Sequence, residues 1–271
     1  MKILFLGDIV GRSGRVAAVA EIPGLRRRLG LDFVVVNGEN AAHGFGLTGK
    51  ICTELFDAGV DAITTGNHAW DKAEIIPVME QDTRVLRPAN LTAGTPGKGC
   101  GVYSTAGGGR VLVINVMGRL FMELSDDPFA VLDRLLPPGS PAAGGFDAVI
   151  VDVHGEASSE KYALGHFCDG RASLVVGTHT HVPTADTQIL PGGCAFQSDA
   201  GMCGDYDSVI GMNKEGAVAR FLGQVPRPRL SPAEGAATLC GLLVETDPVT
   251  GLAVRAAPLR LGGRLAAAWP E

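Results

Sequence analysis

Five times in its first two thirds, the chain runs through a short β-rich apolar stretch and stops at a glycine or a polar cluster. The stretches are ILFLGD (3–8), FVVVNGEN (33–40), AITTGNH (62–68), AVIVDVH (148–154) and LVVGTHTH (174–181). Continuous Val, Ile and Leu runs, rather than strict alternation, mark strands buried on both faces. Helical stretches separate several of them. The pattern therefore predicts an α/β fold in which a sheet with parallel strands is covered by helices.

Punctuation residues place the remaining elements. Ser13 is expected to cap the helix after the first strand, Pro23 to restart it and Gly30 to end it. Thr48 should cap the segment GKICTELFDA, with Gly59 as its terminator. Asp71 and Glu74 have the spacing of a capping box, flanked by Trp70 and Ile75 as a hydrophobic staple. Residues 101–116 read as a hairpin around Gly107, Gly108 and Gly109, residues 225–232 as a surface loop and 236–262 as two closing strands. No linker divides the chain, so one domain over residues 1–271 is expected.

A chain of 271 residues can bury a core without disulfide or metal staples. Its net charge of −6 argues against an extended nucleic-acid surface and leaves local binding of a phosphate open. Arg26, Arg27 and Arg28 form the one basic run and read as a solvated helix end. No apolar run approaches the ~18 residues of a membrane span, and MKILFLGD is too short in its apolar part for a secretory signal. These features lead to the expectation of an untargeted, cytoplasmic protein without a membrane partner. The six cysteines form no C-x-x-C pair, which removes zinc-ribbon and thioredoxin chemistry and leaves them as small buried hydrophobes.

In open α/β sheets, ligands bind beyond the carboxyl ends of the strands. The five polar clusters fall at such ends and offer Asp8, Glu39, Asn40, Asn67, His68, His154, His179 and His181, including four of the six histidines. Taken singly, each has a structural explanation: Asp8 as a cap, Asn67 as a turn residue, His154 as a core histidine. Convergence of five clusters on one edge reverses that reading. Nitrogen and oxygen donors without thiolates suit zinc, manganese or iron. The set is too long for one tetrahedral ion and suits two divalent ions bridged by a carboxylate. Two such ions against the carboxylates of Asp8 and Glu39 leave surplus positive charge, which favours a hydroxide between them and an anionic substrate such as a phosphate ester. His68 directly follows Asn67 and could face the substrate as general acid. His179 and His181, at i and i+2, would share a face if the segment is extended.

The motifs GD, GEN, GNHAWD, VDVH and GTHTH resemble, in order and spacing, those of the calcineurin-like metallophosphoesterases over about residues 1–215. The chain departs from that pattern where Asp8-Ile9-Val10 lacks a histidine and Gly38-Glu39-Asn40 replaces G-D. Those departures, together with NAAHGFGLT, HGEASSEK, GTHTHVPTAD and YDSVIG, resemble the YmdB-like bacterial 2′,3′-cyclic-nucleotide phosphodiesterases. The resemblance implies a four-layer α/β/β/α sandwich and a centre of two divalent or mixed-valence ions, iron foremost, with manganese or zinc as alternatives. It implies that Asp8, Asn40 and His181 hold one ion, that Asn67, His154 and His179 hold the other, and that Glu39 bridges them. It further implies His68 as proton donor, cyclic nucleotides and RNA ends as small phosphodiester substrates, and a homo-oligomer.

His43 and Phe45, in the glycine-flanked loop AAHGFGL, are candidates for contacting a base or ribose, while a plain surface loop is an equal reading. Glu156 could orient a ligand. His166 reads as structural, and residues 198–207 as a rim without assigned chemistry. Rival readings are a broader phosphodiesterase or phosphatase, a dinuclear amidohydrolase, and a metal- and nucleotide-binding regulator without turnover. An H-x-H after the last ligand strand, rather than the first, argues against the amidohydrolase. The intact GNH argues against the regulator.

Overall fold

The computed structural model describes residues 1–270. Its elements in chain order begin with β1 (Lys2–Leu6), β2 (Asp8–Ile9), α1 (Gly11–Leu29), β3 (Phe33–Asn37), α2 (Gly49–Asp57), β4 (Ala62–Thr64) and α3 (Ile76–Gln81). They continue with β5 (Cys100–Ser104), β6 (Arg110–Met117), α4 (Pro128–Leu135), β7 (Ala148–His154), α5 (Ser158–Cys168) and β8 (Leu174–Thr178). The last are β9 (Gln188–Ile189), β10 (Ala195–Gln197), β11 (Met202–Asp205), α6 (Lys214–Phe221), β12 (Ala237–Thr246) and β13 (Ala253–Leu261).

The parallel strands that the apolar runs indicated are divided between two mixed sheets, as the four-layer sandwich implied by the resemblance requires. One runs β2-β11-β12-β1-β3-β4 with β13 beside β12, and the other runs β5-β6-β7-β8-β10-β9. In the first, β1, β3 and β4 are parallel while β12 lies antiparallel to β1. In the second, β6, β7, β8 and β10 are parallel. The alternation of side chains explains why each strand is buried on both faces. Ile3, Phe5, Phe33 and Val35 meet Val113, Ile150, Leu174 and Val176 between the sheets. Leu4, Leu6, Val34 and Val36 pack outward against Ile22, Leu25, Ile51 and Leu55 of α1 and α2. On the far side, Leu112, Val149, Val151 and Val175 pack against Val131, Leu132 and Leu164 of α4 and α5. The result is the four-layer α/β/β/α sandwich.

Several terminus signals hold. Gly30 closes α1 with φ 64°, and the Thr48 hydroxyl accepts from the Ile51 amide at 3.3 Å at the start of α2. The hairpin forms as β5 and β6, and the closing strands as β12 and β13. Other signals do not hold. The N-cap of α1 is Val10, and the Ser13 hydroxyl inside the helix donates to the Ala233 carbonyl at 3.2 Å. The Gly11 amide is met by the Asn40 carbonyl at 2.9 Å, and no side chain caps the terminus. Pro23 lies within an unbroken α1, where burial of Ile22 and Leu25 outweighs one lost hydrogen bond. Asp71 caps no helix: a short 3-10 turn (Ala73–Ile75), with Lys72 at its N-cap position and no side-chain cap, precedes α3. Arg26 is not simply solvated: its Nη1 reaches Asp61 at 2.6 Å and ties the end of α1 to the entry of β4.

Five cysteines are buried and Cys100 is half-buried, in keeping with their reading as small hydrophobes. Among the described residues, no helix is long and apolar enough to cross a membrane.

Candidate metal centre

The parallel strands of the two sheets end at one edge. Asp8 opens β2, Glu39 and Asn40 follow β3, Asn67 and His68 follow β4, His154 ends β7, and His179 and His181 follow β8. Asp8, Glu39, Asn40 and His154 are at most 3% exposed, although each is polar. Burial of that many polar groups is costly unless they are paired or hold an ion. Gly66 makes the edge possible, since a Cβ there would overlap the His154 ring.

The donors form two groups. In the first, ligand atoms of Glu39, His154 and His179 all lie within 4.8 Å of one another. His154 Nε2 is 3.1 Å from Glu39 Oε1, 3.0 Å from Asn67 Oδ1 and 3.1 Å from His179 Nδ1. One ring nitrogen carries at most one hydrogen, so it cannot satisfy both oxygens. In the second group, Asn40 Nδ2 lies 2.9 Å and Asp8 Oδ1 3.9 Å from His181 Nε2. Asp8 Oδ1 and Asn40 Oδ1 are buried without a hydrogen-bond partner among the described residues. Asp8 joins the groups, because its Oδ2 accepts from the His179 amide at 3.1 Å.

Hydrogen bonds behind the rings set their tautomers. Asn37 and Thr64 donate to Asp152 Oδ2, while the Thr178 hydroxyl donates to Asp152 Oδ1 at 2.7 Å. Thr178 must then accept from His154 Nδ1–H, 2.9 Å away, which leaves Nε2 as the nitrogen facing Glu39. His181 Nδ1 donates to the Ile210 carbonyl at 2.7 Å and likewise presents Nε2.

Burial alone would raise the Glu39 carboxyl, but His154 beside it holds it down at about 2. Burial alone would lower His154, but Glu39 raises it to about 9. The pair thus shares a proton in the position a cation would take, since metal binding releases protons from its ligands. His179 is pushed down to about 3 by burial and by His154, which keeps it neutral. Burial raises the Asp8 carboxyl. Orphaned oxygens, aligned lone pairs and an all-nitrogen-and-oxygen donor set fit divalent metal ions.

His179 and His181 are not extended. Their φ values are 96° and 66°, and Ile210 beside them has 45°. Left-handed backbone at a histidine is strained and persists only when neighbours enforce it. Here Lys161, 2% exposed, donates through Nζ to the Thr178 carbonyl and to Asp199 Oδ2, both at 2.8 Å. Asp199 in turn accepts from the Thr180 and Gly201 amides at 3.0 and 2.9 Å. This buried ion pair, which no sequence signal indicated, clamps the segment carrying both histidines.

His68 stands apart from the ligand atoms. Its amide donates to Glu39 Oε2 at 3.0 Å, its Nδ1 lies 2.8 Å from Asp71 Oδ2, and Phe45 meets its ring edge-on at 5.1 Å. A cleft of about 440 Å³ opens over the edge, lined among others by Glu39, Asn40, Phe45, His68, His179 and His181. Glu156 is exposed at its rim, with Oε2 3.4 Å from His179 Nε2. The edge therefore gathers Asp8, Glu39, Asn40, Asn67, His68, His154, His179 and His181. His43 is exposed and lines a neighbouring depression with Arg229. His166 is exposed on α5. Asp71, which reads from sequence as a helix cap, instead faces the His68 ring, and its spacing of three from His68 is the signal that could have found it.

Residues 4–259 match the family model of YmdB-like proteins. A 2′,3′-cyclic-nucleotide 2′-phosphodiesterase of Bacillus subtilis is 48% identical over 255 residues, 94% of this chain and 95% of the relative. The crystal structure of a hypothetical protein from Thermus thermophilus superposes with a TM-score of 0.88 at 43% identity, covering 97% of this chain and 100% of that one. That of a novel phosphatase from Mycoplasma pneumoniae gives 0.87 at 34% identity, over 97% and 93% of the two chains.

Proposed function

The chain belongs to the YmdB-like family, and from that membership and its strand-end chemistry we propose that it is a metal-dependent phosphodiesterase opening 2′,3′-cyclic nucleotides to 3′-nucleotides. The observation that carries this reading is the pair of buried oxygens without partners among the described residues, Asp8 Oδ1 and Asn40 Oδ1, beside His181 Nε2 and the Glu39–His154–His179 cluster. In this reading Asp8, Asn40 and His181 would hold one ion and Asn67, His154 and His179 a second, with the Glu39 carboxylate available to both. Two bound ions, iron by family likeness or manganese or zinc by donor chemistry, supply a nucleophile at neutral pH and offset charge on the phosphate.

The remaining work belongs to the chain. Hydrolysis forms a bond from water oxygen to phosphorus and breaks the bond from phosphorus to the 2′-oxygen, which leaves with a proton. His68 supplies it. Asp71 on Nδ1 and Phe45 on the ring edge fix the imidazole, so Nε2 is the nitrogen left to address the cleft. The Asp152–Thr178–His154 relay and the Lys161–Asp199 clamp hold the ligand rings before substrate arrives. A single domain acting as a homo-oligomer on small phosphodiesters completes the reading.

The test is reconstitution. Protein loaded with manganese or iron should bind close to two ions per chain and convert 2′,3′-cyclic AMP to 3′-AMP, and chelation should abolish both. Turnover that survives removal of metal, checked by elemental analysis, would sink the proposal.

A further inference from the structure

The cleft does not end at the metal-facing edge. Ile210, Met212 and Leu230 line it, and the same three side chains line an adjoining cavity of about 390 Å³ bounded also by Phe221, Arg220 and Arg227. That volume is within the ~300–1,000 Å³ typical of small-ligand sites. Ile210 links the two spaces mechanically, because its carbonyl holds His181 Nδ1. Beyond Leu230, a further depression carries Arg229 and His43.

The surroundings combine two features that seldom coincide on an acidic protein. Phe221 is 88% and Ile210 53% exposed, although both are large and apolar. Residues 214–229 hold four basic side chains against one acidic one, in a chain of net charge −6. Lys214 is already paired with Asp207, and Arg220 Nε secures the Pro228 carbonyl. Arg227 and Arg229 are exposed on the loop that follows α6. A purely apolar ligand would leave these arginines unused, and a lone phosphate would leave the apolar wall unused. A strand of nucleotides uses both, since its bases stack on apolar and aromatic surface while its phosphates pair with arginine.

We propose that the cleft and this trough together take the 3′ end of a single-stranded oligoribonucleotide closed as a 2′,3′-cyclic phosphate. The terminal ribose lies at the metal edge, and the nucleotides on its 5′ side run over Ile210, Met212 and Phe221 with their phosphates at Arg227 and Arg229. The proposal rests on the cyclic-phosphodiesterase reading above and names its substrate as RNA ends in addition to free cyclic nucleotides. The short basic stretch is compatible with the overall negative charge, because only two or three phosphates need to be met.

The test compares a trinucleotide ending in a 2′,3′-cyclic phosphate with 2′,3′-cyclic AMP on manganese-loaded protein. The trinucleotide should show about tenfold higher kcat/KM, through a lower KM that rises with salt. In the double variant R227E/R229E the ratio of the two kcat/KM values should fall to near one. A second arm needs no turnover: a fluorescent trinucleotide carrying a 3′-phosphate should bind the wild type about tenfold more tightly than the variant by anisotropy. Equal KM values for the two substrates, or a ratio and an anisotropy that survive the charge reversal, would overturn the proposal. Absence of turnover on both substrates with the anisotropy difference intact would instead remove the phosphodiesterase reading and leave the strand-binding trough standing.

Discussion

Asn40 Nδ2 and His181 Nε2 are 2.9 Å apart, and the opposite nitrogen of the same ring is already committed to the Ile210 carbonyl. An amide and an imidazole lone pair thus meet in a buried place, beside an Asp8 oxygen that bonds to nothing among the described residues. Asn40→Ala removes one side of that meeting and leaves Glu39, His154 and His179 as they are. Metal content should fall from about two ions per chain toward one, measured by elemental analysis after gel filtration.

His68→Ala should separate metal binding from proton transfer. Both ions should remain, while turnover of 2′,3′-cyclic AMP should drop by about 10²- to 10⁴-fold, the usual worth of a general acid. Bis-p-nitrophenyl phosphate has a leaving group that needs no proton, so the loss on it should be much smaller. Equal losses on the two substrates would assign His68 another role.

Asp71→Asn keeps the shape of the His68 partner and removes its charge. A fall of about tenfold in kcat with little change in KM is expected, in the range seen when the partner of a functional imidazole is altered. Steady-state kinetics on the metal-loaded variant reads this directly.

Gly66→Ala places a methyl group where the His154 ring lies. Far-UV circular dichroism should stay native-like while metal content and turnover both collapse. A variant with wild-type metal content would mean the ring has another place to go.

Lys161→Met leaves Asp199 buried with its charge unmatched, which costs about 3–5 kcal/mol when one partner of such a pair is removed. Urea denaturation should show the loss. Adding Asp199→Asn should recover part of it, because the orphaned charge goes too.

Local periodicity and strand-end chemistry were legible because they need only neighbours in sequence. The apolar runs announced β1, β3, β4, β7 and β8, and the residues at or just past their ends supplied every candidate ligand. What could not be read depends on partners far along the chain. Ser13 looked like a cap, yet its hydroxyl goes to Ala233, and the first amide of the helix is met by the distant Asn40 carbonyl. Asp71 looked like a cap and faces His68. Lys161 on α5 carries no local sequence signal, because its partners, the Thr178 carbonyl and Asp199, lie 17 and 38 residues away. The i, i+2 spacing of His179 and His181 suggested an extended segment, whereas both backbones are left-handed because Asp8, Lys161 and Asp199 bind the peptide groups around them.

The candidate ligands are split between the two sheets: Asp8, Glu39, Asn40 and Asn67 belong to one, and His154, His179 and His181 to the other. Asp8 and His179 meet across 171 residues of chain. That contact joins the two sheets where the strand ends meet. Ions at the edge would act as rivets across the open end of the sandwich. Their escape and the splaying of the sheets would then be one event, and the rate at which a chelator strips metal should track the rate at which amides of the apolar seam exchange with deuterium.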